Sequence, residues 1–170
     1  GASATQRDPA TGNIILYDRQ FIEDDGPAVG FDQPGKNAGV PPIGLSGSAR
    51  SRKILHVERP EASAAHLIAP PGATVTINGH PLEIPPGETS PEIPVSWLKK
   101  GDNELIVSAP ADGKLKIKTA ARTDLLRNAP ERAGNPPRTF TSNDGHTWQP
   151  YDGEAMVRLH LLQYAGEGSF

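Results

Sequence analysis

The sequence reads as all-β, an antiparallel β-sandwich, and three observations carry that reading. Gly and Pro each occur 18 times in 170 residues, and both punctuate turns and spoil helix interiors. Two hairpin signals, Asn78-Gly79 and Asp112-Gly113, sit inside the stretch 73–119 that organises the chain. In such pairs both central residues can take positive φ, the requirement of a tight hairpin. The apolar residues around them come in short runs that alternate with polar ones, as on a strand with one face buried. A chain of 170 residues has the size of one domain, large enough to bury roughly 70% of its unfolded surface.

Composition removes several functions. There is no cysteine, hence no disulfide, no thiolate catalysis and no cysteine-bound zinc. The net charge of -3 gives no overall field for nucleic acid or an anionic membrane. Arg50, Arg52, Lys53 and Arg59 form a basic cluster too sparse to reverse that, and read as a solvated surface run. No apolar run has membrane-spanning length. The opening Gly1-Ala2-Ser3 looks like a cleavage scar, so a secreted or periplasmic protein without its leader is expected.

Residues 1–12 are small and polar and read as a frayed terminus. Residues 13–21 contain a first strand, apolar on both sides, with Ile14 and Leu16 on one face and Ile15 and Tyr17 on the other. Residues 23–52 carry Gly or Pro every few positions and show no period. A long ordered loop is expected there, pinned by Phe31, Val40, Ile43 and Leu45. It would cover an open sheet edge or wall a ligand site. Residues 53–58 and 64–69 read as two strands bounded by Pro60 and Pro70-Pro71. His56 and His66 hold similar places in them, either as hydrogen-bonded half-buried histidines or as a cross-sheet metal pair.

In the organising stretch, Val75 and Ile77 face one way and Thr74 and Thr76 the other. After Asn78-Gly79 the chain returns through Leu82 and Ile84. Residues 93–98 lead into the polar turn 99–103, and residues 104–108 form a strand with Ile106 as a core position. Lys114–Thr119 is expected to pair back on that strand across Asp112-Gly113. Its lysines alternate with Leu115 and Ile117, the pattern of an edge protected by charge. A short helical turn is expected over Asp124–Asn128, and a strand over Arg138–Ser142.

Two segments of this stretch carry a resemblance. The pattern x-V-x-I-N-G-x-x-L is made by Val75, Ile77, Asn78, Gly79 and Leu82, and W-L-K-K-G-D-N-E-L-I-V runs from Trp97 to Val107. They resemble galactose-binding-like jelly rolls, the accessory β-sandwiches of glycan-processing enzymes. The resemblance spans about a quarter of the chain, and its motifs are structural, so it speaks to fold more than to sugar. It implies an antiparallel β-sandwich of jelly-roll type with long Gly/Pro-rich loops. It also implies a structural calcium, for which Glu23, Asp24, Asp25 and Asp32 offer hard oxygen ligands at no fixed spacing.

The octet 141–148, TSNDGHTW, resembles the Asp-box of sialidases and the S-x-D-G-x-x-W hairpin of discoidin-type domains. Thr141, Gly145, Thr147 and Trp148 match the first pattern, with Asn143 at its aspartate position and Asp144 beside it. The physical content is a polar side chain capping its own turn, a Gly at positive φ and a Trp folded back under the hairpin.

Residues 154–164 form the longest strand candidate, although a helical reading also exists. As a strand, Val157, Leu159 and Leu161 share a core face, and Met156, Arg158, His160, Leu162 and Tyr164 share the other. A planar cation, an imidazole and an aromatic ring along one line suit a polar ligand surface for hydroxyls or carboxylates. The competing reading pairs Arg158 with an acid on the next strand and places His160 beneath the long loop. Trp97 and Tyr151 are further aromatic candidates for stacking on a sugar.

Catalysis is hard to build. Gly44-Leu45-Ser46-Gly47 is a fragment of a nucleophile elbow only, and no glycine motif for a phosphate or dinucleotide is present. The expectation is a non-catalytic carbohydrate-binding or accessory module of a secreted bacterial glycan-processing protein. The alternative is a structural domain that packs on a neighbouring domain or subunit.

Overall fold

The computed structural model describes residues 4–7, 14–23, 41–57, 60, 64–88, 90–121, 134 and 136–168, with side chains described from 41 to 161 except at Ala120. In chain order the strands are β1 Ala4–Arg7, β2 Ile14–Glu23, β3 Ile43–Ser46, β4 Arg50–Val57 and β5 Ala64–Ile68. There follow β6 Thr74–Ile77, β7 His80–Glu83, β8 Glu92–Ile93, β9 Gly101–Ser108 and β10 Lys114–Ile117. The last are β11 Thr119–Ala121, β12 Thr139–Ser142, β13 Gln149–Pro150, β14 Gly153–Ala155 and β15 Arg158–Gly168. One 3-10 turn spans Val95–Trp97.

Two sheets dominate. A six-stranded sheet has the order β13-β12-β4-β9-β6-β7, and a five-stranded sheet the order β1-β2-β15-β5-β8. Two short pairs, β10-β3 and β11-β14, complete the described strands. The pairings are antiparallel. Along the strands whose side chains are described, alternation gives each large sheet an apolar face. Leu55, Val57, Val75, Ile77, Leu105 and Val107 come from the first, Ala65, Leu67, Ile93, Leu159 and Leu161 from the second, and they join in one buried cluster. That shared core makes the fold an all-β sandwich.

The Asn78-Gly79 hairpin forms as the sequence suggests, with φ of 50° and 85° joining β6 to β7. The Asp112-Gly113 turn does something else. β10 keeps its alternation, with Leu115 and Ile117 buried and Lys114 and Lys116 exposed, but it pairs with β3 rather than back on β9. The reason is that β9 is already flanked by β4 and β6. At this turn only Asp112 takes positive φ (57°). Gly113 serves close approach instead: a Cβ there would lie 2.7 Å from Pro110 Cγ.

Other expectations shift. Ile106 lies on the outer face of β9, half-buried, because Leu105 and Val107 take the inward positions. Part of the expected terminus, Ala4–Arg7, forms β1 against β2. The expected loop 23–52 contains β3 and the start of β4, with Ile43 and Leu45 in the core; residues 24–40 lie outside the described residues, as does the expected helical turn at 124–128. The segment 154–164 is extended but divided. The Met156 amide donates to Lys118 O and the Val157 amide to Ala155 O, both at 2.9 Å. This bend takes the chain from the β11-β14 pair into the five-stranded sheet.

Candidate functional site

Among the described residues, the outer face of the six-stranded sheet brings polar and aromatic side chains together. Strand alternation puts Arg50, Arg52, Ile54 and His56 outward on β4, against inward Ser51, Lys53, Leu55 and Val57. Register then lines up one outer row across six strands: Pro150, Phe140, Arg52, Ile106, Thr76 and Pro81. The Arg52 guanidinium carbon sits 4.6 Å from the Phe140 ring centroid and 4.7 Å from that of Trp148. Two rings therefore hold one planar cation, an arrangement that favours Arg over Lys. Arg52 Nη1 also lies 3.9 Å from Glu104 Oε2, with the side chains 25% and 46% exposed. Two residues before Glu104 on β9, Asp102 Oδ1 is 3.4 Å from Arg138 Nη1 and 3.3 Å from His56 Nδ1. Charged donors and acceptors thus flank two half-buried aromatic rings on this face.

The hairpin 142–148 positions Trp148. Ser142 Oγ accepts from the Gly145 amide at 2.8 Å and donates to Asp144 Oδ1 at 2.9 Å. Asp144 Oδ1 accepts the His146 and Thr147 amides, each at 2.7 Å. These backbone amides, with the Ser142 hydroxyl, hold the Asp144 carboxyl far below the usual carboxylate range. The capping aspartate is therefore Asp144, and Asn143 is exposed beside it. Gly145 takes φ of 80°. Trp148 packs on Arg52 of β4. An open cleft of about 220 Å³ beside the turn is lined by Thr141, Asn143, Asp144 and Gln149. It is smaller than a typical ligand pocket of roughly 300–1,000 Å³.

The residues singled out from sequence fall in separate places. Arg158 is on the outer face of β15, opposite Ile68, but only 3% exposed. It is therefore closed to solvent. His160, on the same face, is half-buried and stands opposite His66 of β5. Burial, and then the neighbouring His66, lower its pKa. Tyr164 pairs with Tyr17 in the backbone register of β15 and β2. Trp97 lies by the β6-β7 hairpin, its ring stacked on exposed His80 with centroids 4.9 Å apart and planes 5° apart. Tyr151 is half-buried against the core, its amide donating to Thr139 O at 2.8 Å. The histidine pairing also differs from the expected one: His56 faces Asp102, whereas His66 meets His160. Of the calcium candidates, Glu23 ends β2 and Asp24, Asp25 and Asp32 lie outside the described residues. Among the described residues, no three His, Asp or Glu side chains converge to hold a metal ion.

Arg52 belongs to a basic run that reads as solvated surface, and no local pattern marks Phe140. The alternation in 50–57 already places Arg52 outward, but its meeting with Phe140 and Trp148 depends on the β4-β12 register. Among the described residues, no helix is long and apolar enough to cross a membrane. The chain matches no known protein family, no curated protein and no solved structure.

Proposed function

We propose that the chain is a non-catalytic carbohydrate-binding module of a secreted glycan-processing protein, which engages its glycan on the outer face of the six-stranded sheet. The observation that carries this reading is the Phe140–Arg52–Trp148 stack beside Glu104. A sugar presents an apolar C–H face and a rim of hydroxyls. An aromatic plane meets the first, and a cation and a carboxylate held in place supply donors and acceptors for the second. Because Arg52 is matched by Glu104 and Arg138 by Asp102, the face suits a neutral glycan better than a strongly anionic one.

A second reading, a domain that packs on another domain or subunit, gains weight because burial within the chain withdraws Arg158 from the ligand surface that the sequence offered. Glycan-array screening separates the two. Binding to a neutral glycan, lowered at least tenfold by Arg52→Ala and by Glu104→Gln in chains that still unfold cooperatively, supports the module. Absence of binding to every glycan class transfers the domain to the packing role.

A further inference from the structure

The five-stranded sheet carries a second arrangement, independent of the glycan reading. Across β15, β5 and β8 the register places His160, His66 and Glu92 in one row on the face turned away from the shared core. Directly opposed residues in an antiparallel pair have Cβ atoms roughly 4.5–5.5 Å apart, a span that two imidazoles close around one cation. The state of each ring suits that task. His66 Nδ1 lies 3.0 Å from the carbonyl oxygen of Ser90. A carbonyl only accepts, so Nδ1 carries the proton, and in the neutral ring Nε2 is the nitrogen with a lone pair to give. A carbonyl on the far ring nitrogen is the outer-shell partner that metal-ligating histidines commonly have. His160 Nε2 is shielded from solvent and has no hydrogen-bond partner among the described residues. A buried polar atom of this kind calls for an explanation, and a bound cation supplies one.

We propose that His66 and His160 form a cross-strand site for a divalent transition metal ion of the zinc, copper or nickel kind. Imidazole nitrogen suits these ions and does not suit calcium or magnesium. Water fills the remaining positions, and Glu92, exposed and next in the row, lends the site negative charge. Two protein ligands make this an open site of moderate affinity, not a closed structural one.

The test is titration of tag-free protein with zinc chloride, followed by calorimetry and thermal melting. The expected result is saturable binding of one zinc per chain, with a melting temperature that rises with zinc concentration as linkage requires. His66→Gln and His160→Gln should each weaken binding at least tenfold, while His56→Gln, His80→Gln and His146→Gln should leave it unchanged. His66 is near the sheet edge, so its variant remains informative if loss of His160 impairs folding. Calcium chloride should not compete with zinc, since imidazole nitrogen does not suit calcium. Absence of saturable zinc binding, or affinity undiminished in His66→Gln, overturns the assignment.

Discussion

Asn78 Nδ2 donates to Asn103 Oδ1 at 2.8 Å, joining the β6-β7 turn to the start of β9. Asn78 also donates to Trp97 O at 2.8 Å and accepts the Glu104 amide at 2.9 Å. Asn103, fully buried, accepts the Lys99 amide and donates to the carbonyls of Lys99 and Gly101. The two motif segments that carry the jelly-roll resemblance thus meet through their asparagines. Asn103→Ala should cost about 2–3 kcal/mol, because several partners lose their bonds at once. At position 78, Ala should be worse than Gly by about 1 kcal/mol, since φ is 50° there and a Cβ is strained in that region. Urea unfolding of the three variants measures both effects, and equal stability of the Ala and Gly variants would remove the backbone part.

A buried ion pair gives the next expectation. Lys53 Nζ lies 3.8 Å from Glu154 Oε2, with the side chains 1% and 8% exposed. Lys53 also donates to Ala155 O at 2.7 Å, and Glu154 accepts from Thr139 Oγ1 at 2.7 Å. Removing one partner leaves a charge in the interior. Glu154→Leu should therefore cost about 3–5 kcal/mol, whereas Lys53→Met with Glu154→Leu should restore most of it. Chemical denaturation of both variants decides the matter: no recovery in the double variant would mean that the pair contributes more than it costs to bury.

How far the sequence could be read follows from what each signal encodes. Period two alone found the inward residues Val75, Ile77, Leu159 and Leu161. The basic run that reads as solvated surface is corrected at Lys53, which is buried on the face of Leu55 and Val57; its partner Glu154 lies far along the chain, where no local pattern points. The pairing of β10 was misread because a turn signal says that the chain bends, not which edge remains open. The face of Arg158 is legible in the period, whereas the choice between a ligand surface and a covered side chain is not, because burial depends on what lies above a strand. Arg52 was passed over for the converse reason: its significance comes from two rings that only the fold brings to it.

The stack itself predicts a difference between two cations. Arg52→Lys preserves charge but loses the planar group between Phe140 and Trp148. Stability should fall by about 1 kcal/mol. A thermal or urea midpoint equal to that of the native chain would show that charge, not planarity, is what Phe140 and Trp148 require.

The 142–148 turn gives a pH dependence of definite sign. In the folded chain Asp144 holds its charge far below its ordinary value of 3.8. As pH falls past that value, the unfolded chain takes up the proton and the folded one does not, so stability declines. The contribution is complete above the ordinary value and is lost progressively below it. Asp144→Asn lacks this ionisation, while the remaining carboxylates are common to both chains and cancel. The native chain should be the more stable at neutral pH, and the gap should narrow as pH drops below about 4. Melting temperatures measured from neutral pH down to about pH 2.5, at fixed ionic strength, test this. A gap constant across that range would mean that the carboxylate charge adds nothing to the turn, leaving only the geometry of its hydrogen bonds.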